Sequence, residues 1–132
     1  MRFVDSNVFI HVLIRSPKND YEIAKQILKR IENGEEAITN LAIIQEIVDW
    51  LEYNHRRKDV EKLLTAINSY LSLKKAEVCW SDMLKAIDDM KRYNLDLTDA
   101  LTLQTMKKYN IKEIYTNDRD FDRVEGIKRI WK

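Results

Sequence analysis

The sequence is short of the residues that most often staple or break a fold. One cysteine, Cys79, stands among 132 residues. That excludes a disulfide framework and a cysteine-built zinc site, and it fits a reducing, intracellular setting. Two glycines and one proline give the chain few places to break, so long helices and short loops are expected. Two glycines also cannot supply a phosphate-cradling loop or a dinucleotide fingerprint. Two histidines, His11 and His55, offer no Ser/His/Asp constellation. An excess of one charge is missing too: 23 Lys and Arg against 22 Asp and Glu give a net charge of +1. A simple basic tail for polyanions is excluded, but charge segregated by face is not. The longest apolar stretch, Val8 to Ile14, is interrupted by His11 and is too short to span a bilayer. The opening MRFVDSN carries an acid at position 5 and has no signal-peptide architecture.

What is present is a foldable, soluble composition. Apolar residues reach 45% and charged residues 34%, which argues against intrinsic disorder. No linker, repeat or low-complexity tract divides the chain, so one domain over residues 1–132 is expected. Strand and helix patterns alternate, which predicts α/β with a mostly parallel sheet. Arg2-Phe3-Val4, Ala37-Ile38-Thr39, Glu77-Val78-Cys79-Trp80 and Ile114-Tyr115-Thr116 read as strands, with Ile127–Ile130 as an optional fifth. Helices are expected from Asn7 to Arg15, from an Asp20 cap to Asn33 with Gly34 beyond it, and after an Asn40 cap. The stretch from Arg57 to Lys74 reads as the most regular helix. Two more are expected, from Ser81 to about Asn94 and from a Thr98 cap to about Tyr109.

With 22 Asp and Glu among 132 residues, a lone acid says little, but position relative to strand ends does. Ligands of open α/β sheets bind beyond the carboxyl ends of the strands. Asp5 follows the first strand, Asp118 follows the strand at 114–116, Asp99 lies in the first turn of its helix, and Glu46 lies in the second turn of its own. In a parallel sheet all four reach the same edge. Each also has an ordinary use: Asp5 as a helix cap, Asp99 as a partner of the helix dipole, Glu46 as a solvated glutamate, Asp118 as a turn residue. Together they would repel unless neutralised. Carboxylate oxygens are hard ligands suited to Mg²⁺ or Mn²⁺, and such a site fits hydrolysis of a phosphodiester. A phosphatase of the haloacid-dehalogenase kind wants a second Asp at position 7, where this chain has Asn.

Four stretches, FVDSNVFI (3–10), LAIIQEIVDWL (41–51), LDLTDALTLQTM (95–106) and IYTNDRDF (114–121), together resemble the PIN-domain family, and most nearly its VapC-type toxins. The resemblance covers essentially the whole chain. It implies a sheet in the order 3-2-1-4-5 with helices on both faces, and a Mg²⁺- or Mn²⁺-dependent endoribonuclease. It implies Asp5, Glu46, Asp99 and Asp118 as catalytic and metal-holding acids, Asp120 competing with Asp118 for the last place. It implies support from Asn7 and Thr116, while Asp96 is either an outer acid or a helix-entry residue. Homodimers, an RNA substrate, a small antitoxin partner and a cytoplasmic setting without membrane contact are also implied. A non-toxin PIN nuclease in RNA maturation, or a non-catalytic binding module, is the alternative. His55-Arg56-Arg57-Lys58 is the sharpest basic cluster and reads either as a phosphate-tracking patch or as a solvated loop. His11 reads as a packed side chain, and Trp50, Trp80 and Trp131 as core or interface rather than base-stacking residues.

Overall fold

The computed structural model describes residues 1–132. Five parallel strands lie in the order β3-β2-β1-β4-β5: β1 Arg2–Val4, β2 Ala37–Asn40, β3 Leu73–Ala76, β4 Glu113–Tyr115 and β5 Lys128–Ile130. Six helices connect them: α1 Ser6–Ile14, α2 Lys18–Glu32, α3 Leu41–Tyr53, α4 Val60–Ser69, α5 Trp80–Tyr93 and α6 Leu97–Lys108. The expected strand order and fold class both hold. All four residues of β2 are fully buried. Neighbours on a strand point to opposite faces, so both faces of the sheet are covered, as a parallel sheet requires. Thr39 on β2 stays dry by donating its hydroxyl to the Val4 carbonyl of β1 at 3.0 Å. No helix is long and apolar enough to cross a membrane.

Several local expectations are corrected. The third strand is Leu73–Ala76, not Glu77–Trp80, and the expected helix from Arg57 to Lys74 ends at Ser69 after a short 3-10 turn at Arg57–Asp59. Lys74 and Lys75 sit on a strand at the edge of the sheet, where one lysine is exposed and the other half-buried. Leu71, inside that expected helix, is 97% exposed in the turn before β3. Helix α2 starts at Lys18 behind Pro17, so Asp20 lies in its first turn instead of capping it. The buried stripe of α3 is Ile43, Ile47 and Leu51; Leu41 faces out. Helix α6 is capped by Asp96 rather than Thr98.

Asn40 is a buried joint between β2, α3 and α6. Its Oδ1 accepts the Ile43 N–H at 2.9 Å, and its Nδ2 donates to the Thr105 hydroxyl at 2.9 Å. One side chain thus caps α3 and ties it to α6, the two helices that carry Glu46 and Asp99. Replacing it with alanine removes a cap and strands a buried hydroxyl. Asn40→Ala is expected to lose about 2 kcal/mol of stability in urea unfolding, with an unchanged m-value.

Candidate active site

The carboxyl ends of β1 and β4 lie side by side in the middle of the sheet, and the acids gather above them. Asp5 is the residue where β1 stops and α1 begins. The strand leaves its backbone extended, and its Oδ1 accepts the Ser6 N–H at 2.8 Å, so it caps α1. Its Oδ2 accepts the Thr116 hydroxyl at 2.7 Å and the Asn7 amide at 3.3 Å. Thr116 is fully buried and uses every hydrogen-bonding position: besides that donation, its oxygen accepts the Asn7 amide at 2.8 Å and the Asp118 N–H at 3.0 Å. One hydroxyl therefore aligns the first acid, its supporting asparagine and the backbone of the last acid.

Asp99 enters from the first turn of α6, where its N–H donates to the capping Asp96 carboxylate at 2.8 Å. One oxygen each from Asp5, Asp99 and Asp118 falls within 4.8 Å of the others. Asp5 and Asp99 are buried; Asp118 is half-buried. Glu46 looks toward the same place from α3. Its carboxylate stands outside the tight trio, but its charge is felt at both Asp5 and Asp99. Every ion pair of the chain lies elsewhere, so no lysine, arginine or histidine offsets this charge.

The electrostatic result comes from burial and mutual repulsion. Burial pushes the Asp5 carboxyl up to about 6, against the pull of its bonds from Thr116 and Ser6. Asp99 is pushed further, to about 8, by burial first and then by Asp5, Asp96, Asp118 and Glu46. Glu46 is also raised, by burial and by Asp96, Asp118 and Asp49, although a hydrogen bond from the Ser6 hydroxyl opposes this. A cluster of oxygen donors that resists ionising alone, with no basic side chain to balance it, fits a divalent cation.

The remaining expected residues sort clearly. Asp120 is exposed and paired with Arg123 at 3.3 Å, so Asp118 and not Asp120 stands with Asp5 and Asp99. Asp96 is exposed and serves as the helix-entry cap, adding its charge to the cluster from outside. Among the basic residues, Arg56 is committed within the fold, to Asp59 at 2.8 Å and the Leu13 carbonyl at 3.2 Å. His55, Arg57 and Lys58 are exposed. Trp50 and Trp131 pack against the core, while Trp80 is 71% exposed. Sequence reasoning passed over Ser6 and Asn117. Both adjoin an acid in the sequence, Ser6 after Asp5 and Asn117 before Asp118. Their types are common in turns and caps, and only the fold shows Ser6 bonding to Glu46 and Asn117 to Asn7 and His11.

The family model named PIN domain matches residues 2–127. Ribonuclease VapC13 of Mycobacterium tuberculosis is 27% identical over 131 residues, 98% of this chain and 99% of that protein. Among solved structures, the Sarcin-Ricin loop cleaving toxin VapC20 of M. tuberculosis superposes with a TM-score of 0.80 over the whole of both chains, at 18% identity. VapBC2 of Rickettsia felis, solved with a DNA fragment from its promoter, gives 0.71 at 12% identity over 99% of this chain and 98% of that one.

The raised carboxyls make a prediction for the metal-free chain. In the folded state Asp99 holds its proton to about pH 8; unfolded, it releases it near its ordinary 3.8. The folded state therefore binds the extra proton between those values. Its contribution is present in full below about pH 4 and is lost as the pH rises toward 8. In EDTA, the melting temperature should fall from pH 6 to pH 8.5. Asp99→Asn should flatten that slope, and Mn²⁺ should raise the melting temperature more at pH 8 than at pH 5.5.

Proposed function

The chain belongs to the PIN-domain family, and from that premise we propose that it is a metal-dependent endoribonuclease of the VapC kind, the toxin of a toxin–antitoxin pair. The observation that carries this reading is the convergence of Asp5, Asp99 and Asp118, with oxygens within 4.8 Å and no basic side chain paired with any of them. A relative of nearly equal length named as a VapC ribonuclease supports it. So does the likeness to toxin and toxin–antitoxin structures.

Asp5, Asp99 and Asp118 would hold Mg²⁺ or Mn²⁺, whose hard-acid preference matches an all-oxygen site. The bound cation would polarise a phosphodiester oxygen and acidify water. Glu46, raised by burial and standing just outside the trio, has the place and basicity to orient a water and take its proton, or to complete the metal's ligands. Asn7 and Thr116 keep Asp5 aimed. His55, Arg57 and Lys58 are free to meet phosphates along the RNA. The exposed apolar stripe Trp80, Leu84 and Ile87 on α5 suits a homodimer contact. A small antitoxin is the second partner, the whole unit acts as one domain over residues 1–132, and its RNA substrate places its work in the cytoplasm.

Purified protein incubated with a mixed RNA pool should cleave it with Mn²⁺ or Mg²⁺ and not with EDTA. Asp5→Asn, Asp99→Asn and Asp118→Asn should each lose at least about a hundredfold in rate while keeping the wild-type circular dichroism. Asp120→Asn should stay near wild type. Metal-independent cleavage, or full activity in Asp99→Asn, would overturn the assignment.

A further inference from the structure

The segment that delivers Asp118 is held to α1 at two points one helical turn apart. Asn7 and His11 are four residues apart on α1 and share a face. Asn7 Oδ1 accepts the Asn117 main-chain N–H at 3.3 Å, and the Asn117 side-chain amide Nδ2 lies 2.9 Å from His11 Nε2. The other ring nitrogen, Nδ1, lies 2.9 Å from the Ser16 carbonyl oxygen. A carbonyl only accepts, so Nδ1 carries the proton and Nε2 offers its lone pair to the Asn117 amide. On another side the imidazole meets Trp131, with ring centroids 5.8 Å apart, and the Trp131 Nε1–H donates to Asp20 of α2 at 2.9 Å. The ring is thus fixed by α1, by the turn after it, and through Trp131 by the residue after β5.

We propose that His11 and Asn117 are positioning residues for the acid centre. The imidazole sets the orientation of Asn117, and Asn117 sets the direction in which the next residue, Asp118, presents its carboxylate. The Asn117 side chain has no other hydrogen-bond partner in the fold. Its main-chain bond to Asn7 is long for an N–H to oxygen contact. Asp118 is held by its own N–H to Thr116 and by accepting the Asp120 N–H at 2.9 Å, a bond within the same turn. Without His11, the exit from β4 keeps its buried start at Thr116 and loses the tie that orients Asn117 and Asp118. The consequence for metal binding rests on the function proposed above; the bracing itself does not.

Hydrogen exchange measured by NMR on the metal-free chain tests the brace without metal or RNA. In His11→Leu the Asn117 and Asp118 amides should exchange about tenfold faster, the scale of one lost hydrogen bond. The melting temperature should move little. In His11→Gln the side-chain oxygen can accept the Asn117 amide, and exchange should return to within about threefold of wild type. Calorimetric Mn²⁺ titration should show about tenfold weaker binding in His11→Leu and in Asn117→Ala, and no further loss when the two are combined, because they break one link. Unchanged exchange in His11→Leu would overturn the proposal, as would an increase that glutamine fails to reverse. Should His11→Leu not fold, Asn117→Ala decides by the same reading at Asp118. A wild-type chain that binds no Mn²⁺ or cuts no RNA counts against the proposed function, and the exchange rates still decide the brace.

Discussion

The repulsion among Asp5, Asp99 and Asp118 is the constraint around which this fold is arranged. Three carboxylates within 4.8 Å of one another would separate if their backbones were free to move. They are held because each is anchored to a different rigid element. Asp5 is fixed between β1 and α1, Asp99 by the capped first turn of α6, and Asp118 by the exit of β4. The opposing force is distributed over hydrogen bonds from Ser6, Asn7 and Thr116, and over the buried packing beneath them. Asn40 belongs to the same arrangement, since it joins the helices that bring Glu46 and Asp99 to one place. The site resists carrying three full negative charges, and the fold keeps its acids partly neutral by raising the carboxyls of Asp5 and Asp99.

That arrangement explains what could be read from the residues alone. The acids were legible because a parallel sheet sends every strand's carboxyl end to one edge, and a strand is recognisable by its apolar run. Phe3-Val4 before Asp5 and Ile114-Tyr115 before Asp118 supplied the necessary contrast. Asp118 and Asp120 were not separable by sequence, because they lie two residues apart after β4. Their difference is geometric: Asp118 turns inward under its bond to Thr116, and Asp120 turns out to Arg123.

The misread elements share a physical origin. Strand β3 hides in LKKA because an edge strand has one open side, and only Leu73 and Ala76 are buried. Two lysines beside leucines look like a continuing helix when no partner strand is visible. Helix α6 was expected to start at Thr98, and Asp96 caps it instead, accepting the Asp99 N–H at 2.8 Å. Both residue types are good caps, so residue type alone did not separate them. Ser6, His11 and Asn117 act through contacts between residues more than a hundred positions apart or across an element boundary. No local pattern announces such contacts.

The lysines that disguised β3 have a consequence beyond the site. Both outer strands of the sheet carry basic residues, Lys74 and Lys75 on β3 and Lys128 and Arg129 on β5. An unpaired strand edge is a template on which another extended chain can add itself. Charged side chains on short edge strands make that addition costly, because an incoming strand would have to desolvate them. Short, charged outer strands therefore disfavour growth of the sheet past five strands at either end.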